Sequence, residues 1–374
     1  MNSHGGLSNE IFACAKTEGA FSPVGLSEST RFYKCDGAVV FVDGYVATDS
    51  DCQTSNENNL GERLIDSYRR NGLMFLEKLR GSFRLGLWDV SKRKLLLAVD
   101  PFGTRSLYYT VHDRVLIFGP RIRSFRQAHE VPREVDPNAI YFYLNHSFVP
   151  APLTVFQRIK RLEPGHVLIW DNGRADIRPY WDMNYVEDRE ATEESLCARL
   201  RSTMAETVRF HMRDLLDGPH SAFGAFLSGG VDSSTLLGLM TQLCASSVNS
   251  FSVGFSEERY NELFYARVAA RRFHSESHEC IVKPSEAVQV VAHLGKEFDE
   301  PFGNSSALPT YFCLRTARET GVKVMFAGDG GDELFGATRG TRSRKRLCST
   351  MNFRHYYVSR LICSLRPLLP FIPG

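Results

Sequence analysis

Short apolar runs separated by polar turns dominate the first third of the chain and predict a strand-rich domain. Ala38–Val46 reads AVVFVDGYV, a β-branched run whose Asp-Gly pair indicates a strand that enters a tight turn. Phe83–Asp100 contains two apolar runs joined by Asp-Val-Ser-Lys, which predicts two strands, and DPFGTRSLYY adds a turn and an aromatic strand. A helix packed on this sheet is predicted by apolar residues at helical spacing: Leu60, Leu64, Ile65, Tyr68 and Leu73. These elements indicate an α+β domain.

A proline-rich stretch, which ends in the sequence RPYWD at Arg178–Asp182, separates this domain from a second one. We place the boundary near residue 187, because residues 191–216 have a plain amphipathic helical pattern. From Gly224 onward, apolar strand-like runs alternate with helical patterns, which predicts an α/β fold with a parallel sheet and crossover helices. Such folds bind ligands at the carboxyl ends of the strands, where the strand order reverses.

Length and composition fit a globular protein with two domains. At 374 residues the chain is long for one domain, and its 43% of hydrophobic residues are enough for sizeable cores. The first thirty residues lack a secretory signal pattern, and no run of about 18 apolar residues occurs. The nine cysteines include no CxxC pair, which favours reduced thiols over disulfides or zinc. We therefore expect a soluble, cytoplasmic protein.

The net charge of +2 conceals a basic carboxyl-terminal tail. Residues 337–374 contain eight Arg or Lys and no Asp or Glu, which leaves residues 1–336 with a net charge of −6. A basic tail can bind nucleic acid or a membrane surface. Because this tail is better explained as an aberrant segment, we expect neither a nucleic-acid partner nor a membrane partner.

Leu227–Ser234 reads LSGGVDSS and has the chemistry of an anion-binding loop. Gly229 and Gly230 allow backbone N–H groups to turn inward, and serine hydroxyls lie at the start of a predicted helix, whose dipole favours an anion. Asp232 supplies a carboxylate that can hold Mg²⁺ against a pyrophosphate. No GxxxxGK[ST] motif is present, so the loop is not of the Walker A type. The plainer alternative is a glycine turn with a serine N-cap.

Ala327–Gly336 reads AGDGGDELFG and places three carboxylates on a second glycine-rich loop: Asp329, Asp332 and Glu333. Carboxylates beside an anion-binding loop repel a polyphosphate unless a divalent cation lies between them. The two loops together therefore predict a MgATP site rather than a nucleic-acid surface. His274 and His278 have the i, i+4 spacing of a metal-binding face, but they span a predicted helix-to-strand junction, and a structural role is favoured.

These motifs, in this order, resemble the glutamine-dependent asparagine synthetases. The synthetase part of that family is matched by LSGGVDSS, by SVGF at Ser252–Phe255, by FDEP and SSA within Phe298–Ala307, and by AGDGGDELFG. The upstream sequences GSFRLGLWD, DPFGTRSLYY, LEPGH and YW resemble its amidotransferase domain and connector. The resemblance covers roughly Ala38–Gly336 and is less specific for the substrate, since β-lactam synthetases and lasso-peptide cyclases are similar.

The resemblance implies two folds and one reaction. Residues 1–187 are expected to form an α+β, αββα Ntn-hydrolase-like domain of the class II glutamine amidotransferase type. Residues 188–336 are expected to form an α/β parallel-sheet PP-loop domain of the adenine nucleotide α-hydrolase-like type. The family adenylates the side-chain carboxylate of aspartate with MgATP, and ammonia from glutamine then gives asparagine, AMP and pyrophosphate. ATP and Mg²⁺ are thus the implied cofactors, aspartate and ammonia or glutamine the implied partners, and a homodimer is left open.

The family's site residues transfer to matching positions of this chain. ATP and pyrophosphate contacts are implied for Leu227, Ser228, Gly229, Gly230, Asp232, Ser233, Ser234, Val253, Ala327 and Gly328. Asp232 and Asp332 fall at Mg²⁺ positions. Asp329 falls where such synthetases place a glutamate beside the adenylate, so it is the catalytic candidate. Its side chain is one methylene shorter, which is consistent with a different acceptor.

The amino terminus departs from the family pattern. The family's glutaminase nucleophile is a cysteine that follows the initiator methionine and is activated by its own α-amine. Here residue 2 is Asn2, the nearest cysteine is Cys14, and the family's Asn-Gly oxyanion turn reads Asp43-Gly44. Residues 1–37 also lack the family's arginine-rich and glycine-rich segments. We therefore expect no glutaminase nucleophile and no glutamine hydrolysis.

The carboxyl terminus departs as well, since the family continues from ELFG into GNERY and a long helical region with a catalytic lysine. In a shifted frame, the codons of Ala337–Thr341 permit Asn-Glu-Arg-Tyr, and those of Ser349–Arg354 permit Tyr-Asp-Glu-Leu-Pro. Our hypothesis is that residues 337–374 are an aberrant, frameshifted tail, with a genuine basic helix as the alternative. The gene sequence decides between these two alternatives. If the shifted reading frame reaches a stop codon within a few codons of residue 337, the frameshift is excluded.

Three functions fit these features to different degrees. The leading one is an asparagine-synthetase-like, ATP-dependent amide ligase without glutaminase activity. The alternative is a catalytically inactive, truncated remnant that at most binds nucleotide. A PP-loop enzyme of another class, such as a tRNA-modifying thiolase, is disfavoured, because such enzymes carry catalytic cysteines or a basic face near the loop, and Ala327–Gly336 is acidic.

Overall fold

The computed structural model describes residues 12–15, 21–24, 30–35, 37–48, 59–184, 186, 188–216, 222–257 and 261–335. The chain divides into two units. Unit 1 comprises Met1–Met183 and Asp299–Gly303, and unit 2 comprises Asn184–Phe298 and Asn304–Gly374. The main division lies close to the expected boundary at residue 187. The return of Asp299–Gly303 to unit 1 is a feature that no sequence pattern indicates.

Unit 1 contains two antiparallel sheets. Its strands are β1 (Phe12–Ala15), β2 (Phe21–Val24), β3 (Thr30–Cys35), β4 (Ala38–Thr48), β5 (Leu79–Asp89), β6 (Lys94–Val99), β7 (Tyr108–His112), β8 (Val115–Gly119), β9 (Lys160–Arg161), β10 (His166–Asp171) and β11 (Arg174–Pro179). Its helices are α1 (Leu60–Asn71) and α2 (Pro137–His146), with 3-10 helices at Gly72–Lys78 and Ile122–Gln127. The strand orders are β11-β10-β6-β5-β4-β3 and β2-β1-β8-β7-β9.

The two sheets of unit 1 pack face to face, because central strands of the six-stranded sheet are apolar on both faces. Successive side chains of a strand point to opposite faces. On β6, Leu96 and Ala98 pack with α1, whereas Leu95 and Leu97 pack with Phe118 of β8. A third cluster covers the outer face of the five-stranded sheet: Tyr108, Ile117, Ile122, Phe125 and Val131. The expected order of helix, sheet, sheet and helical cover is confirmed.

Strand β4 corrects one expectation from the sequence. The Asp43-Gly44 pair does not form a tight turn, because β4 pairs with β5 without interruption along its whole length. Gly44 has a φ of +105°, and a Cβ atom on it would lie 2.1 Å from the carbonyl oxygen of Ser82. Only glycine fits this conformation and this close approach. The prediction of a turn was wrong because the glycine serves the strand pairing itself.

A buried ion-pair cluster holds Asp43 inside this sheet. Its side chain is 2% exposed, and its Oδ1 atom accepts a hydrogen bond from Arg105 Nη1 at 3.1 Å. Its Oδ2 atom accepts a hydrogen bond from Arg84 Nε at 2.7 Å. Burial lowers the pKa of Arg84, and the negative charge of Asp43 opposes that shift. The carboxylate therefore compensates two guanidinium charges in a place that water reaches poorly.

The segment Asp299–Gly303 is bound into unit 1 by two further ion pairs. Asp299 pairs with Arg123, and Glu300 pairs with Arg161. Both carboxylate side chains are almost completely buried, at 10% and 9% exposure. These acidic residues belong to the FDEP motif, so the motif's carboxylates serve the folding of unit 1.

Unit 2 is a parallel α/β domain, as its alternating pattern predicts. Its strands are β12 (Phe223–Phe226), β13 (Asn249–Phe255), β14 (Glu276–Val282) and β15 (Val324–Phe326). Its helices are α3 (Glu193–Leu216), α4 (Val231–Leu243), α5 (Leu263–Arg272), α6 (Pro284–Glu297), α7 (Ala307–Glu319) and α8 (Gly331–Phe335). The strands pair in parallel in the order β14-β13-β12-β15. The order reverses at β12, since the chain runs outward through β13 and β14 before β15 pairs on the other side.

Helices cover both faces of the parallel sheet. On one face, Met212 of α3, Leu237 of α4 and Ala266 of α5 share a core with the sheet. On the other face, Phe251 of β13 packs with Leu314 of α7. Burial of both faces by helices is typical of a parallel sheet. Among the described residues, no helix is long and apolar enough to cross a membrane.

Removal of the Asp43 carboxylate is expected to destabilise unit 1 strongly. In an Asp43→Ala variant, Arg84 keeps its charge in a buried place without its partner, which costs about 3–5 kcal/mol of unfolding free energy. Asp66→Ala is the matched control, because Asp66 is 54% exposed in its ion pair with Arg70, and such pairs contribute about 0–1 kcal/mol. Chemical denaturation followed by circular dichroism measures both variants. Equal losses in the two variants contradict the buried-pair assignment.

Candidate functional site

The loop Leu227–Ser234 leaves the carboxyl end of β12 and enters α4. Leu227 donates its N–H to the carbonyl oxygen of Phe251 at 2.8 Å, and Ser252 Oγ donates to the carbonyl oxygen of Leu227 at 2.7 Å. These two bonds fix the start of the loop to β13. Helix α4 begins directly after Gly230, so the free N–H groups of its first turn lie at the end of the loop. The predicted arrangement of strand, glycine loop and helix N-terminus is thus present.

The serine side chains of this loop hydrogen-bond within the loop. Ser228 Oγ and Ser233 Oγ are 3.0 Å apart. Ser228 N–H donates to Ser233 Oγ, and Gly230 N–H donates to Ser228 Oγ, each at 3.3 Å. Bonds of this length are weak, so oxygen atoms of a bound anion can replace them. The loop therefore keeps its shape while its donors stay available.

Gly229 packs closely against helix α5 of unit 2. Its φ is +82°, and a Cβ atom on it would lie 2.4 Å from the carbonyl carbon of Tyr265. Helix α5 therefore runs directly against the loop backbone. No sequence pattern indicates this contact, because Tyr265 occupies an ordinary surface position in the pattern of an amphipathic helix.

The second glycine loop follows β15, which is the neighbour of β12 in the sheet. A Cβ atom on Gly331 would lie 2.4 Å from Asp232 Oδ2, and one on Gly328 would lie 3.0 Å from the backbone nitrogen of Ser233. The Asp232 carboxylate thus touches the backbone of the second loop. The two loops meet at the carboxyl ends of the two strands where the strand order reverses, which is where folds of this kind bind ligands.

Asp329 lies on the second loop with a perturbed carboxyl group. Although part of its side chain reaches solvent, burial of the carboxyl group and, second, the negative charge of Glu333 raise its pKa. A cation or a cationic group beside these two carboxylates relieves that repulsion. The side chain of Asp332 lies outside the described residues, so its role as a Mg²⁺ ligand stays a prediction.

The structure brings most of the predicted site residues to one edge of the sheet. Val253 lies two residues beyond Phe251 near the carboxyl end of β13, next to the strand that Leu227 follows. Ser228–Ser234 and Ala327–Gly328 lie on the two loops that touch. Their predicted contacts with ATP and pyrophosphate stay predictions. Among the described residues, no group of three or more His, Cys, Asp or Glu side chains forms a ready metal site.

His278 has a structural environment. Its Nε2 atom lies 2.9 Å from Asn249 Oδ1, and its ring stacks on Phe251 with 4.7 Å between the ring centroids. A ring nitrogen of histidine that is shielded from water is satisfied by such a hydrogen bond. The side chain therefore serves the packing of β13 and β14, in agreement with the structural role favoured above.

The structure describes only some of the residues that bear on glutamine hydrolysis. Asn2 lies outside the described residues, and Cys14 is described only as part of the backbone of β1. Asp43 and Gly44 lie inside β4, with the Asp43 carboxylate in its ion pairs. Position 43 thus carries a hydrogen-bond acceptor, and guanidinium groups already donate to both of its oxygen atoms.

Comparisons with known proteins match both parts of the chain. Residues 199–366 match the asparagine synthase family, and residues 46–181 match the glutamine amidotransferase domain. Asparagine synthetase [glutamine-hydrolyzing] 1 of Bacillus subtilis is 31% identical over 284 residues, which cover 76% of this chain and 44% of that protein. Putative asparagine synthetase [glutamine-hydrolyzing] 2 of Methanocaldococcus jannaschii is 28% identical, over 74% of this chain and 53% of that protein. The chain spans about half the length of these relatives.

A third relative carries a different name, since amidase chry2 of Gibberella zeae is 29% identical over 74% of this chain and 42% of its own length. Among solved structures, the NH3-dependent NAD synthetase of Campylobacter jejuni matches with a TM-score of 0.27 and 11% identity, over 38% of this chain and 60% of that chain. The asparagine synthase match continues past Gly336 to residue 366; residues 336–374 lie outside the described part, and the frameshift stays a hypothesis.

A methyl group on Gly331 is expected to disturb the contact between the two loops. In Gly331→Ala, the new Cβ meets Asp232 Oδ2 at 2.4 Å, so the carboxylate must move, and we expect MgATP to bind at least about ten-fold more weakly. Gly295→Ala is the matched control, because a Cβ there meets no atom within 4 Å. Isothermal titration of both variants with MgATP measures the effect. Unchanged affinity in Gly331→Ala means that the Asp232 position does not matter for the nucleotide.

Two domain matches therefore agree with the two units of the fold, and the loops that carry the family's motifs touch at the switch point of the parallel sheet. This chain belongs to the asparagine synthetase family, with a glutamine amidotransferase-type domain followed by a PP-loop asparagine synthase domain.

Proposed function

We propose that this chain is an asparagine-synthetase-like, ATP-dependent amide ligase. It activates a carboxylate, aspartate by analogy with its relatives, as an acyl adenylate and then amidates it, releasing AMP and pyrophosphate. The observation that supports this most is the contact of the Asp232 carboxylate with Gly331, because it joins an anion-binding loop to an acidic loop. A cytoplasmic location and a homodimer stay predictions from the sequence.

The proposed roles follow from the chemistry of each group. The N–H groups and hydroxyls of Ser228–Ser234 hold the pyrophosphate portion, while Leu227 and Val253 border the adenosine. Ala327 and Gly328 bring backbone to the nucleotide from the other loop. The Asp232 carboxylate suits Mg²⁺, which prefers oxygen ligands and would neutralise the phosphates, with Asp332 as its second proposed ligand. These residues act mainly by orienting the reactants and by stabilising charge on the leaving pyrophosphate.

Asp329 is the proposed catalytic residue. Its carboxyl group stands on the acidic loop, where Glu333 and burial raise its pKa. A nitrogen nucleophile that attacks an acyl adenylate must lose a proton, and a positioned carboxylate with a raised pKa accepts that proton more readily. This role explains why an acid stands at this point of a loop that must also tolerate phosphate.

We further propose that the nitrogen donor is ammonia rather than glutamine. An oxyanion hole needs hydrogen-bond donors, whereas the ionised carboxylate of Asp43 is an acceptor only. Both of its oxygen atoms already accept hydrogen bonds from arginines, Arg84 and Arg105. The amidotransferase-type domain is then a scaffold that does not supply ammonia.

A second candidate is a remnant that binds nucleotide without catalysis. In this case the two loops keep their geometry and hold the nucleotide, but no carboxylate is activated. Binding of MgATP alone does not separate the two functions, and turnover does.

ATP–pyrophosphate exchange is the assay that tests the ligase. We expect exchange that requires aspartate or a related carboxylic acid, and at least about a hundred-fold loss of rate in Asp232→Ala, because the metal and phosphate contacts are lost together. Asp188→Ala is the control, since Asp188 forms an exposed ion pair with Arg199 elsewhere in unit 2. Exchange without any added carboxylic acid contradicts the proposal. Nucleotide binding without exchange supports the remnant.

The nitrogen source is tested by comparing ammonium with glutamine. We expect AMP formation with ammonium and aspartate, and no glutamate release from glutamine at the same enzyme concentration, because Asp43 offers no donor to an oxyanion. A coupled glutamate dehydrogenase assay measures glutamate directly. Glutamate released in step with AMP means that a glutaminase site exists after all.

A further inference from the structure

The first turn of α5 lies against the anion-binding loop. A Cβ atom on Gly229 would lie 2.4 Å from the carbonyl carbon of Tyr265, 2.5 Å from the backbone nitrogen of Ala266 and 2.6 Å from Tyr265 Cβ. The Tyr265 side chain therefore leaves its helix at the place where the loop passes. Both features lie at the carboxyl ends of β12 and β13.

Tyr265 contributes little to the core of unit 2. Helix α5 turns a different face to the core, which contains Leu263, Ala266, Ala269 and Ala270. The Tyr265 side chain is 63% exposed, and its ring contacts that of Phe264 edge-on with 5.5 Å between the centroids. Within the described residues its hydroxyl group makes no hydrogen bond. Packing alone gives no reason for a tyrosine at this position.

The two loops carry no cationic side chain of their own. Neither Leu227–Ser234 nor Ala327–Gly336 contains a Lys or Arg, so the loops offer an anion only N–H groups, hydroxyls and a cation held by carboxylates. A tyrosine hydroxyl is a neutral donor on a rigid ring. A hydrogen bond from such a donor to an ionised phosphate oxygen is stronger than one between neutral groups.

We propose that Tyr265 is a nucleotide-binding residue, whose hydroxyl donates a hydrogen bond to the phosphate chain on the Leu227–Ser234 loop. The proposal rests on the proposed function, because it needs a polyphosphate at that loop. Helix α5 then provides a side-chain donor to the phosphate chain, in addition to the backbone donors of the loop. It also explains the exposed aromatic ring beside Gly229, where a smaller polar residue would satisfy the helix equally well.

Titration of MgATP and of magnesium pyrophosphate into matched variants tests the proposal. Tyr265→Phe keeps the ring and removes the donor, and we expect it to bind both probes about ten-fold more weakly than the wild type. Adenosine, which has no phosphate, should bind both proteins equally. Phe264→Ala is the control, because Phe264 is 66% exposed on the same helix and its loss should change MgATP affinity by less than about two-fold.

The titrations distinguish a failure of the proposed function from a failure of the role of Tyr265. If the wild type binds neither MgATP nor magnesium pyrophosphate, the proposed function fails, and the role of Tyr265 fails with it. If the wild type binds and Tyr265→Phe binds equally well, only the role of Tyr265 is overturned. A loss confined to Tyr265→Ala also overturns it, since the ring and not the hydroxyl is then responsible. Melting temperatures within about 2 °C of the wild type exclude misfolding as the cause.

Discussion

The Asp232 carboxylate reaches the backbone of the second glycine loop because Gly331 has no side chain. This contact joins two loops that are about a hundred residues apart in sequence, and it exists because β12 and β15 are neighbours in the parallel sheet. The sheet in turn depends on helices that bury both of its faces. The absence of a side chain at Gly331 thus connects the packing of unit 2 to the chemistry of its site. Any ligand that binds there meets amide donors from one strand end and carboxylates from the next.

Much of this arrangement could be predicted from the sequence, because its signals are local. The alternation of strands and helices after Gly224 fixed the parallel sheet, and the two glycine motifs fell at strand ends for the same reason. What could not be predicted depends on contacts across the fold. The Asp43-Gly44 pair indicated a turn, yet strand pairing on both sides and two arginines keep it extended. The proximity of Tyr265 to Gly229 has no signature in either segment, since it arises from the packing of α5 beside α4.

Position 43 carries a carboxylate where the resemblance to the family implies an asparagine. An asparagine side chain carries an amide that can donate a hydrogen bond, whereas the aspartate at position 43 can only accept. Once present, the carboxylate is held by Arg84 and Arg105, and its removal is costly because both cations lose their partner. The carboxylate is thereby part of the core of unit 1.

The ion pairs of Asp299 and Glu300 have a consequence for synthesis of the protein on the ribosome. Unit 1 contains the amino-terminal residues, but Arg123 and Arg161 find their carboxylate partners only after residues 299 and 300 have emerged. Domains in general fold as units during synthesis, with the amino-terminal one first. Here the two ion pairs that bind Asp299–Gly303 to unit 1 form only after more than a hundred residues of the next unit have been made. Unit 1 is therefore completed late in the synthesis of the chain.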